Sequence, residues 1–199
     1  GTFGTGDDDI DSFDTKDFAS NDPEGVAFDE NTGALYVVDG VNKEVYRIQP
    51  NTNGFDGLPV VGGDDTVTQF DVEVLGGRDP EGIDFDANRN LVLILDHKED
   101  AIYEVTQTGS PVHILDISAA NTDVAAGITI APSSSGSGDS LYVVDRGVDN
   151  NSDPNENDGK MFEFEYNPVP RVTPGFVVID EGDNGTTNAA VPFTLPGPS

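Results

Sequence analysis

DPEGVAFDENTGALYVVDGVNKEVYRI, residues 22–48, returns as DPEGIDFDANRNLVLILDHKEDAIYEV, residues 79–105. A looser version, AAGITIAPSSSGSGDSLYVVDRGVDNNSDPNENDGKMFEFE, runs from Ala125 to Glu165. Each copy reads as a short strand opened by Gly, a turn, a solid apolar run ending in Asp, and a strand carrying an aromatic residue. Gly25 and Gly82 stand 57 residues apart, as do Asp39 and Asp96, whereas the third copy follows at shorter intervals. Strand order is kept while loops change length, the mark of a strand-built repeat array.

The apolar runs Leu35–Val38 and Leu91–Leu95 do not alternate with polar residues. A strand that is apolar on both faces has to be covered on both, as the middle of a propeller blade is by its two neighbours. Third strands are expected at Glu44–Ile48, Ala101–Val105 and Met161–Glu165, and fourth strands at Gln69–Leu75, Val112–Ile117 and Phe176–Asp180. Ile10–Phe18 reads as the outer strand of a preceding unit. The expected fold is all-β, a β-propeller-type array of four-stranded blades in a single domain over 1–199, with repeats near 20–76, 77–118 and 119–180. Three units are fewer than the four to eight blades of ordinary propellers. The terminal segments 1–19 and 181–199 are therefore expected to form a further blade together, or to be completed by a neighbouring chain through strand exchange.

Thirty-eight acidic residues against nine basic ones give a formal charge of -29. Such a field repels nucleic acid phosphates and anionic lipid and attracts cations, and its self-repulsion is relieved by salt or by bound divalent ions. Nucleic acid is excluded as a partner on this ground. Membrane insertion is excluded because no run of 18 apolar residues occurs, and the visible start lacks a basic and then apolar export signal. The absence of Cys removes disulfides, thiolate metal sites and Cys nucleophiles. The two histidines, His97 and His113, come without a G-x-S-x-G elbow, and no phosphate-binding G-x-x-x-x-G-K-[ST] occurs.

The D-P-E-G motif followed by L-Y-V-V-D resembles NHL-type and SMP-30/gluconolactonase-like propeller repeats. The stretch 127–164 is similar to a repeat of large bacterial extracellular proteins that stands beside hemolysin-type (RTX) calcium-binding or adhesion modules. The resemblance covers roughly 22–166 and implies a propeller fold, an extracellular or cell-surface location and calcium. In SMP-30-like enzymes a divalent ion sits in the central channel, held by a Glu, an Asn and an Asp. By that resemblance Glu24 or Glu81 matches the Glu, and no motif supplies the other two.

The most metal-like segment is DRGVDNNSDPNEND, Asp145 to Asp158. Its Asp145, Asp149, Asn151, Asp153, Asn155 and Asp158 offer the hard oxygen donors Ca2+ requires. Asp149, Asn151 and Asp153 match the opening of an EF-hand loop, but Pro154 replaces the Gly and Lys160 the bidentate Glu, so an irregular loop is expected instead. A solvated Asx-rich turn is the plain alternative. Asp22, Glu24, Asp79 and Glu81 would need cations if they converged on one axis, or could act as an acid and base pair; otherwise each Glu simply ends a strand. Asp39, Asp96 and Asp145, which end the apolar runs, are expected to accept from backbone N–H groups of the following turn. Asn150 and Asn184 open N-x-[ST] triplets, so a glycan is a possible partner.

Together these features describe an extracellular, calcium-associated structural or adhesive module that self-assembles through its terminal strands into a filament or surface structure. The alternative is an SMP-30/gluconolactonase-like metal-dependent lactone or ester hydrolase, and a third reading is a halophile's soluble propeller.

Overall fold

A computed structural model describes residues 12–52, 54–147 and 159–166. The first four strands, β1 (Pro23–Asp29), β2 (Ala34–Asp39), β3 (Glu44–Gln49) and β4 (Thr66–Asp71), form one antiparallel sheet in sequence order. A second sheet of the same form comprises β5 (Pro80–Asp86), β6 (Leu91–Asp96), β7 (Ala101–Val105) and β8 (Pro111–Asp116). The third holds β9 (Ala125–Pro132), β10 (Asp139–Asp145) and β11 (Lys160–Glu165). The first strand of each sheet packs on the first strand of the next, β1 on β5 and β5 on β9. These are consecutive propeller blades fanned about an inner edge.

The inner edge explains the repeated glycine. A Cβ at Gly25 would lie 3.3 Å from the Ile83 backbone N, and one at Gly82 would lie 3.2 Å from Gly127 Cα. Side chains there would push the blades apart where their backbones approach most closely.

β6 shows why its apolar run does not alternate. All six of its residues are buried, Val92 and Ile94 in a core shared with Tyr36, Val38 and Phe85, and Leu93 and Leu95 in one shared with Leu141 and Val143. One strand thus feeds two interfaces, with Tyr36 stacked on Phe85 across the first at 6.0 Å. Matching positions of the first and second repeats, and of the second and third, then differ in burial where one has a neighbouring blade over it and the other has none. Ile83 and Phe85 are buried against the first blade, while their counterparts Val26 and Phe28 are 63% and 51% exposed. Leu95 and Ile102 are buried toward the third blade, while Val144 and Met161, their counterparts there, are 48% and 69% exposed.

The expected strand at Ile10–Phe18 is not formed in its described part, which instead carries a 3₁₀ turn, Thr15–Phe18. Asp14 caps the Lys16 N–H and Ala19 takes a left-handed conformation, and the turn lodges Phe18 beside Tyr46 on the outer side of the first blade. The fourth strand expected at Gln69–Leu75 is displaced toward the N-terminus. Asp71 Oδ1 accepts from Glu73 N at 2.6 Å, which stops β4 and starts a 3₁₀ turn at Glu73–Leu75. The strand expected at Phe176–Asp180 lies outside the described residues, as do residues 1–11 and 181–199 of the end segments on which terminal-strand exchange depends. Among the described residues no helix is long and apolar enough to cross a membrane.

Candidate metal centre at the inner edge

The aspartates that end the middle strands are stapling groups. Asp39 is buried and accepts from the Ser20 hydroxyl and the N–H groups of Asn21 and Asp22 before β1, and from Asn42 N in the turn after β2. Asp96 accepts from Arg78 N at 2.7 Å and Asp79 N at 2.9 Å through Oδ2, and from Lys98 N and Glu99 N, both at 3.0 Å, through Oδ1. Asp145 accepts from Asp123 N, Val124 N and Gly147 N at 2.8–2.9 Å. Each therefore ties the segment entering its blade to the turn leaving the middle strand, a wider reach than the following turn alone. Burial would raise the carboxyls of Asp39 and Asp145, but these N–H donors outweigh it and hold both below the usual range.

Glu24 and Glu81 open the innermost strands β1 and β5. Burial raises the Glu24 carboxyl, the negative charges of Glu81 and Asp22 raise it further, and Arg146 opposes them. Glu81 is buried, with Arg146 Nη2 at 3.8 Å from its Oε1. One residue from each of three blades thus meets at the inner edge: Glu24, Glu81 and, where the third copy carries Ala126 in place of Glu, Arg146. Asp79 turns away to an ion pair with Lys98, so the four acids do not all gather. Two carboxylates near one cationic side chain could receive a divalent ion only if Arg146 moves or shares them. Asp145 reaches this edge, but its oxygens face N–H groups. Asp149, Asn151, Asp153, Asn155 and Asp158 lie outside the described residues.

Sequence reasoning missed two further features. Asp29 and Asp86, both buried, close the first turn of their blades by accepting from Asn31 N and Thr32 N, and from Arg89 N. Gln107 Nε2 also donates to Asp29 Oδ2 at 2.8 Å, bridging the first two blades. The signal was the FD shared by both copies. A buried network also joins the second and third blades: Arg89 donates to both Glu104 oxygens, at 2.5 and 3.0 Å, and the Tyr166 hydroxyl lies 2.7 Å from Glu104 and 3.0 Å from Asp86. Burial opposes the charge on Glu104, yet Arg89 and Tyr166 hold its carboxyl low.

No family model matches the chain, and no curated protein sequence does. Among solved structures, a luciferin-regenerating enzyme, a β-propeller, matches with a TM-score of 0.51 at 16% identity, covering 72% of this chain and 45% of that one. A PQQ-bound aldose sugar dehydrogenase from Streptomyces coelicolor matches with a TM-score of 0.42 at 16% identity, covering 73% and 43%. The chain thus spans under half the length of these proteins. The first of these likenesses speaks for the fold alone: an all-β, β-propeller-like arrangement of antiparallel sheets.

Proposed function

We propose that this chain is an extracellular, calcium-associated structural or adhesive module of the NHL-like, RTX-associated kind, and that it joins copies of itself by continuing its array of blades. The observation that carries this reading is the exposure of Val26 and Phe28 on one open face and of Val144 and Met161 on the other. The same repeat positions are buried, or in Ile128 and Ile130 of the third blade partly buried, where a neighbouring blade stands. A blade of a second copy set against either face would bury them as Ile83, Phe85, Leu95 and Ile102 are buried. The charge of -29 supports the calcium and the exterior setting, because divalent ions would offset repulsion between copies.

The test is particle mass by light scattering, with calcium and with excess chelator, for the wild type and for the double variant Val26→Asp/Phe28→Asp. Large regular particles that shrink in chelator and in the double variant are the expected result. A compact monomer in every condition would overturn the reading. The rival, an SMP-30-like lactone or ester hydrolase, draws on Glu24 and Glu81 meeting at the inner edge, where a cation would polarise the carbonyl and activate water. Metal-dependent lactone hydrolysis by that monomer, lost in Glu81→Gln, would favour it.

A further inference from the structure

The connection from β3 to β4 is the longest described loop of the first blade, and it folds back so that Asp56 meets Asp64 and Asp65. One carboxylate oxygen from each of the three lies within 4.8 Å of the others. Three negative charges at that spacing repel unless something positive stands among them. Asp64 N donates to Asp56 Oδ1 at 2.8 Å and Thr52 N to Asp64 Oδ2 at 3.1 Å, so the loop aligns the acids without neutralising them.

A second observation is independent of that clustering. Asp65 is 2% exposed; its Oδ2 accepts from Gly57 N and Asp56 N at 2.8 and 3.1 Å, and its Oδ1 is buried with no hydrogen-bond partner. A buried carboxylate oxygen without a donor is costly unless a cation takes the donor's place. Gly63 adds to the picture, because a Cβ there would overlap Asp56 O, Gly57 O and Asp56 Oδ1. Two carbonyls and a carboxylate therefore crowd the same corner, where only a glycine passes.

We propose that Asp56, Asp64 and Asp65, with help from the carbonyls of Asp56 and Gly57, bind a hard divalent cation, calcium by preference, and that this ion locks the β3–β4 loop. All the donors are oxygens, and they come from an irregular loop that suits the flexible coordination of Ca2+ better than the strict octahedron of Mg2+. The site is built from the β3–β4 loop and uses neither Glu24 nor Glu81, and it stands whether or not copies assemble. The locked loop holds Phe55 and Leu58 against Phe18 and Tyr46 on the outer side of the first blade.

Hydrogen exchange read by mass spectrometry on the full chain tests this with calcium alone as probe. At free Ca2+ ten times its dissociation constant, exchange in peptides covering 54–66 should slow about tenfold. Peptides covering 80–105 serve as an internal reference and should keep their rates. Asp65→Asn removes the buried charge, and Asp56→Asn/Asp64→Asn spares the Asp65 bonds to Asp56 N and Gly57 N; both should abolish the slowing. Unchanged exchange in wild type at millimolar Ca2+, or slowing that persists in the double variant, would overturn the assignment. Equal slowing by Mg2+ would overturn the preference for calcium.

Discussion

Replacing Asp96 with asparagine keeps the size of the side chain and removes half of what it does. The native carboxylate gives one oxygen to Arg78 N and Asp79 N and the other to Lys98 N and Glu99 N, all within 3.0 Å. An amide supplies one acceptor oxygen, so it satisfies one pair and turns its own NH2 toward the other. Hydrogen bonds to an ionised acceptor contribute about 1.5–3 kcal/mol each, so two lost bonds amount to about 3–6 kcal/mol. Arg78 and Lys98 are exposed, and water reaching their backbones trims the expected loss to about 3–4 kcal/mol. For a chain of this size that is a fall in melting temperature of about 10 °C. Thermal unfolding followed by circular dichroism at neutral pH reads it directly, with Asp123→Asn, an exposed residue on the loop before β9, as the control for a simple loss of charge. A D96N protein that melts within a degree or two of the wild type would refute the claim that these aspartates hold the blades' entry and exit segments together.

Acid should destabilise the fold in a defined window. Asp39, Asp145 and Glu104 all have folded values below their unfolded ones, so their contribution is complete above about pH 5 and is lost as the pH falls through the depressed folded values. Urea unfolding midpoints measured from pH 6 down to pH 3 should fall, and a flat profile would contradict the stapling roles. Glu24 has the opposite sign: its folded value is raised, so its charge costs stability at neutral pH and the cost disappears once it is protonated. Glu24→Gln should therefore stabilise the fold slightly at neutral pH, by no more than about 1 kcal/mol because solvent screens the partly exposed group, and leave the acid value unchanged. A variant that melts lower at neutral pH would show that Glu24 holds a favourable partner instead.

The residues explain which features could be read from the chain and which could not. LVLILD announced a strand covered on both sides because period-two alternation fails only when both faces are buried. The closing aspartates were legible as backbone acceptors because the following turn lies next to them in sequence. Their second set of donors, 17 to 22 residues upstream, was not, since that contact exists only once the innermost strand has paired. Glu104 sits inside an apolar strand, and its partners Arg89 and Tyr166 are 15 and 62 residues away, so nothing local marked it as part of a network between blades. Thr15–Phe18 looked extended because it mixes polar residues with Phe, but one cap and one buried ring were enough to make it a turn. The Asp56, Asp64 and Asp65 group was hidden because its closure depends on the room left at Gly63, a property of shape that no spacing rule conveys.

The account turns on what covers the two open faces, and electron microscopy of the particle formed in calcium addresses that directly. The predicted image places the β10–β11 face of one copy against the β1 face of the next, with Val144 and Met161 packed over Val26 and Phe28. Isolated three-blade wedges with both faces in solvent would contradict it.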